Sequence, residues 1–148
     1  MSLMDRVRGL FRRPEPEPLD VHAPGLAVVA SCDDPAVAPS SVLAASKGWA
    51  EDGQAVLRYR LELPAARVGE ASGLIGQDGY ELRVDGEETA DPVRCAALRA
   101  GIVTALAVAR DHSRMASLAQ RLGGDAIGWD VLQPREGETD NIGVPDLT

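Results

Sequence analysis

At 148 residues and 45% hydrophobic composition, the chain is long enough for one domain with its own core. A formal charge of −8 repels nucleic-acid phosphates as a whole, so RNA contact would need a local basic patch, and no direct nucleic-acid binding is expected. Cys32 and Cys95 form no CxxC pair, and His22 and His112 lack a second ligand at metal spacing, so no disulfide framework, metal site or cofactor site is visible.

Met1 to Arg13 places Leu3, Met4, Val7, Leu10 and Phe11 on one helical face, with Arg6, Arg12 and Arg13 largely elsewhere. That pattern predicts a short basic amphipathic arm, able to lie on a membrane surface or to fray as a terminus. The segment lacks the apolar core of a signal peptide, and no run approaches the ~18 residues of a membrane span, so a cytoplasmic protein is expected. Prolines at alternate positions from Pro14 to Pro18 predict an extended spacer. Residues 1–18 are thus read as arm and spacer, 19–133 as one domain, and 134–148, polar and turn-rich, as a disordered tail.

Leu26 to Ser31 predicts a strand, ended by Asp33-Asp34-Pro35. Ser40 suits the N-cap of a short helix stopped by Gly48. In Val56 to Leu63, the residues Leu57, Tyr59, Leu61 and Leu63 alternate with Arg58, Arg60 and Glu62, which predicts a strand with one face in a core. Pro64 suits a helix start, and Val68, Ala71 and Ile75 form that helix's inner stripe. Gly69, Gly73 and Gly76 within it suggest close packing on a sheet, and Gly79 ends it. Tyr80 to Val84 and Val93 to Ala100 predict two strands around an acidic loop. Thr104 caps a long helix whose apolar side is Val108, Met115, Leu118, Ala119 and Leu122. The Gly123-Gly124 pair breaks it, and Ile127, Trp129 and Val131 alternate in a last strand, Asp125 to Leu132. The order strand, helix, strand, strand, helix, strand predicts an α+β fold of the ferredoxin-like split βαβ plan, with an extra N-terminal strand and short helix.

Arg110, Arg114, Ser117 and Arg121 fall on one line of the long helix, opposite its apolar stripe. They could grip an acidic partner segment, or form a solvated face. The sheet's second face would show Arg58, Arg60, Glu62, Glu81, Arg83 and Arg94, with Tyr59 and Tyr80 in phase with the core and so withheld from base stacking. The positive charge is almost all arginine, which suits bidentate pairing with carboxylates, and Lys47 is the only lysine. Strand phase puts Trp129 in the core, whereas a slip of one residue would expose it as an interface anchor, and Trp49 carries the same ambiguity. The backbone-clamping spacing in Gly73-Leu74-Ile75-Gly76 has no basic residue, the Glu87-Glu88 and Glu51-Asp52 pairs lack a partnering base, and Ser113 does not face His112. No catalytic constellation is visible, and a non-enzymatic protein is expected.

The run LAQRLGGDAIGW (Leu118 to Trp129), with AEDGQAVLRYRLELP (Ala50 to Pro64) and GYELRV (Gly79 to Val84), resembles the regulator of ribonuclease activity B family over about residues 48–133. The family consists of small acidic proteins that bind and inhibit ribonuclease E. The resemblance implies the same fold, a regulator of RNA degradation, and ribonuclease E as protein partner, with Gly128, Trp129, Asp130, Arg110, Arg114 and Arg121 as candidate contacts. The chain departs from the family in its arginine-rich N-terminal arm and in a tail without a dense acidic run. The alternative is a membrane-surface or assembly adaptor docked through Met1 to Arg13.

Overall fold

Alternation in Gln54–Leu63 sets the centre of the molecule: Leu57, Tyr59, Leu61 and Leu63 are buried on one side, beneath the helices. The computed structural model describes residues 19–87 and 89–134; the predicted arm, the proline spacer and the tail beyond Pro134 lie outside them. Among the described residues the class is α+β: a five-stranded antiparallel sheet with three helices. The strands are β1 (Leu26–Cys32), β2 (Gln54–Leu63), β3 (Glu81–Val84), β4 (Val93–Ile102) and β5 (Asp125–Pro134), and they lie in the order β1-β5-β2-β4-β3. The helices are α1 (Pro39–Ala45), α2 (Val68–Gly76, entered through a 3-10 turn at Ala65–Arg67) and α3 (Ala105–Arg121).

Two crossovers interleave. The β2-α2-β3 unit encloses β4 between its parallel strands, and the β4-α3-β5 unit encloses β2. The inner faces of the helices, through Leu43, Ala71, Ile75, Val108, Met115 and Ala119, pack with Tyr59, Cys95, Trp129 and Val131 of the sheet in one core. The N-terminal strand joins the sheet at its edge, pairing with β5 from Leu26↔Pro134 to Cys32↔Trp129.

Local chemistry accounts for the helix ends. The Thr104 hydroxyl accepts from the Ala107 N–H at 3.1 Å, as its N-cap position predicts. Helices α2 and α3 end alike: Tyr80 N–H reaches Ile75 O and Gly79 N–H reaches Gly76 O, while Gly124 and Gly123 do the same to Ala119 and Gln120. This paired closure needs a left-handed residue, supplied by Gly79 and Gly123, both at φ +83°. Gly124 is required for a different reason, since a Cβ there would collide with the main chain at Glu62 and Leu63.

Four expectations need correction. Helix α1 starts at Pro39, not after a Ser40 cap, because proline has its φ preset and no N–H to lose in a first turn. It ends at Ala45, where Ser46 turns extended and its hydroxyl donates to Val42 O at 2.7 Å. In β5 a bulge opposite Arg60 and Leu61 shifts the phase, so Ile127 is 39% exposed while Ala126 and Trp129 face the core. The second sheet face is only partly open, because Leu19, Val21 and Leu26 cover Val56, Ala96 and Leu98, and the His22 ring bonds Glu81. Finally, the α2 glycines do not mediate close packing: a Cβ at Gly69, Gly73 or Gly76 would meet nothing within 4 Å.

That last observation sets a test. Gly69→Ala and Gly73→Ala, each free of steric conflict, are expected to stabilise by about 0.5–1 kcal/mol through lower backbone entropy in the unfolded chain. Gly124→Ala is expected to cost about 3 kcal/mol or more by overpacking. Urea midpoints of the three variants check both signs.

Candidate functional site

The polar face of β2 and β5 is built around one carboxylate. Asp130 lies opposite Arg58 on β2 and Ser31 on β1, and it is 2% exposed. Its Oδ2 accepts from Arg58 Nε at 2.8 Å, Arg58 Nη2 at 2.8 Å and Arg60 Nε at 3.0 Å, and its Oδ1 accepts from Ser31 Oγ at 2.6 Å. Arg60 also pairs with Asp33 beyond the end of β1. Partial burial alone would lower the Arg60 pKa, but the bond to Asp33 and the charges of Asp130 and Asp33 raise it, so the guanidinium remains charged. Gly128 lies beneath this pair: a Cβ there would come within 2.6 Å of Arg60 Nη2 and Asp33 Oδ1.

A second buried carboxylate lies on the helix side. Asp111, 3% exposed, accepts from Tyr80 Oη at 2.7 Å, Arg99 Nη2 at 2.7 Å and Arg110 Nε at 3.2 Å. The Arg99 guanidinium stacks over the Tyr80 ring at 4.6 Å, Tyr80 meets Tyr59 edge-on at 5.8 Å, and Tyr59 Oη donates to Val108 O at 2.8 Å. Burial would raise the Asp111 pKa, but the hydrogen bonds from Tyr80 and Arg110 and the charge of Arg99 more than offset it, and the carboxyl titrates below the usual range. Burial first, and then the same carboxylate, push both tyrosine hydroxyls up, so they stay neutral donors. Both carboxylates are therefore acceptors tied into the fold, and among the described residues no three His, Cys, Asp or Glu side chains group as a metal site.

The candidate contacts divide into two sets. Trp129 is 1% exposed on the core side, Gly128 is covered by Arg60 and Asp33, and Asp130 is closed in by two arginines and a serine. None of these three presents a surface to a partner; the Gly-Trp-Asp run is a structural device. Arg110, Arg114 and Arg121 are exposed on α3, with Arg110 leaning on Asp111 and Arg114 on Asp78 at 3.1 Å. Arg121 makes no ion pair among the described residues. Leu106, 79% exposed one turn before Arg110, extends that line with an apolar tip that the sequence reading passed over.

Trp49 marks a second region. It is partly buried against the core and lines two cavities, one of about 800 Å³ and one of about 400 Å³. The larger is bounded by residues from Lys47 to Ala50, by Ala27 and Val29 of β1, and by Gln54, Gln133 and Pro134 at the strand ends. Gln133 holds the loop in place, its amide accepting from Ala50 N–H and donating to Ala50 O, both at 2.8 Å. The Trp49 indole N–H and Gln54 Oε1 are buried and have no hydrogen-bond partner among the described residues. In the sequence, only the unplaced aromatic after Gly48 hinted at this region.

No family model matches the chain, and no curated protein or solved structure matches it either.

Two outcomes follow from the buried carboxylates. Asp130→Ala is expected to destabilise by about 3 kcal/mol, because two arginines lose their counter-charge inside the fold; chemical denaturation measures it. For Asp111, the folded pKa lies below the unfolded one, so its contribution is complete above about pH 4 and is lost as the pH falls through the folded value. Urea midpoints from pH 6 to pH 3 should fall less steeply for Asp111→Asn than for the parent.

Proposed function

We propose that the chain is a non-enzymatic, protein-binding regulator on a ferredoxin-like split βαβ scaffold, acting on ribonuclease E as members of the regulator of ribonuclease activity B family do. The scaffold reading is supported by the strand order β5-β2-β4-β3 and by the two interleaved crossovers, with β1 and α1 added at one edge. The functional reading draws on the sequence resemblance and on one observation of charge placement. Every described arginine except Arg121 pairs with a carboxylate of the same chain, whereas Glu51, Asp52, Glu87 and Asp125 are exposed without a cationic partner among the described residues.

The unbalanced surface is therefore acidic, although arginine is abundant. Such a surface is steered toward a basic partner and repelled from bare RNA. The sheet offers no aromatic ring for base stacking, since Tyr59, Tyr80 and Trp129 all face the helices. Inhibition would come from masking basic regions of the ribonuclease without chemistry on the RNA.

Titration of the full-length chain into purified ribonuclease E, followed calorimetrically and by RNA cleavage, tests this. Expected are saturable binding, slower cleavage, and about tenfold weaker affinity on moving from low to physiological salt. The double variant Glu51→Lys/Asp52→Lys should weaken binding further. Absence of binding at low salt would remove ribonuclease E as the partner.

A further inference from the structure

We propose that the basic arm, Met1 to Arg13, is an intramolecular ligand of this chain. Its apolar face docks in the cleft between α1 and the start of α3, and Arg12 and Arg13 pair with Glu51 and Asp52 at the cleft's edge.

The cleft, of about 400 Å³, lies between α1, the loop before β2 and the turn that joins β4 to α3. Leu43, Trp49, Ile102 and Val103 give it an apolar lining, and Ile102 stays 49% exposed where β4 ends. Glu51 and Asp52 line it too; both are exposed, and neither meets a cation among the described residues. An apolar hollow edged by free acids fits an amphipathic segment that carries arginine. The arm has that pattern: Leu3, Met4, Val7, Leu10 and Phe11 share one side of a helical wheel, Arg6 and Arg8 flank it, and Asp5 is the arm's one acid.

Reach and charge order single out the arm as the occupant. The described chain starts at Leu19, on the wall of the larger cavity, and Trp49 is a wall common to both cavities. Pro14 to Pro18 separate Leu19 from the arm, and an extended stretch of that length spans about 15 Å, which carries the chain past one side chain into the adjoining cleft. Leaving Leu19, the spacer brings Glu17 and Glu15 first, and Lys47 lines the same cavity as Leu19, exposed and without an acidic partner among the described residues. Arg13 and Arg12 come next, and so, beyond Trp49, do Glu51 and Asp52. The signs along the segment thus follow, in order, the complement of those met across the surface. Weak intrinsic affinity is enough, because so short a tether holds the arm at an effective concentration on the order of millimolar. A basic partner approaching Glu51 and Asp52 then has to displace the arm, a consequence that rests on the proposed protein-binding role; the docking itself does not.

The test uses the full-length chain, in which Phe11 is the only phenylalanine, so a labelled phenylalanine ring reports on the arm alone. Expected are nuclear Overhauser cross-peaks from the Phe11 ring to the Trp49 indole and the Ile102 methyl protons, unchanged on dilution. In a mixture of labelled and unlabelled chains, no such peak should connect different copies. Glu51→Arg/Asp52→Arg, exposed changes checked for folding by circular dichroism, should reduce the cross-peaks about fivefold, and adding Arg12→Glu/Arg13→Glu should restore them. The proposal is overturned if the Phe11 ring shows no cross-peak to the cleft, if the peaks connect one copy to another, or if reversing the two acids leaves them unchanged. No ribonuclease enters these spectra, so the docking can fail while ribonuclease E binding stands, and the reverse.

Discussion

A carboxylate removed from water must be matched by charge and hydrogen bonds on every side, and Asp130 imposes that demand on three strands at once. Arg58 and Arg60 of β2 answer it from one side and Ser31 of β1 from the other. Because Arg60 continues to Asp33, its side chain passes over β5, and residue 128 can have no side chain of its own. With Asp130 on the polar face, strand alternation sends Trp129 to the opposite one, where it fills the core beneath the helices. The Gly-Trp-Asp run is thus one arrangement seen from two faces of a sheet, and its parts are not independent.

The helix side repeats the principle with different chemistry. Asp111 recruits a tyrosine and two arginines: the bond from Tyr80 links the third helix to the end of the second, and Arg99 of β4, stacked on the Tyr80 ring, joins the sheet to both. Arginine serves both sites well because its planar fork makes directed bonds and remains charged when partly buried.

Much of the architecture was legible because local physics determines it. The alternation of Leu57, Tyr59, Leu61 and Leu63, the Thr104 cap and the glycines at 79 and 123 each act within a turn or a strand, and all stand where the pattern put them. What escaped depends on distant partners. The bulge that turns Ile127 outward exists only through pairing with β2, some sixty residues earlier in the chain. The role of Asp130 depends on Arg58, 72 residues away, and Ser31, 99 residues away. Three arginines on one helix face were visible as a strip, but not that two of them rest on acids of the same chain. The Trp49 region was hidden for a related reason, since its walls come from strand ends that meet only in the fold.

The two outer strands of the sheet differ from its interior in a way that bears on self-association. An uncovered strand edge is a template on which another copy can grow. Here β3 is only four residues long, and β1, though longer, is interrupted by a bulge at Val29 that breaks the even spacing of its outward N–H and C=O groups. Neither side offers a long flat ledge. A sheet ended in this manner resists copy-to-copy strand addition, and crowding such molecules together should favour contacts through side chains over fusion of their backbones.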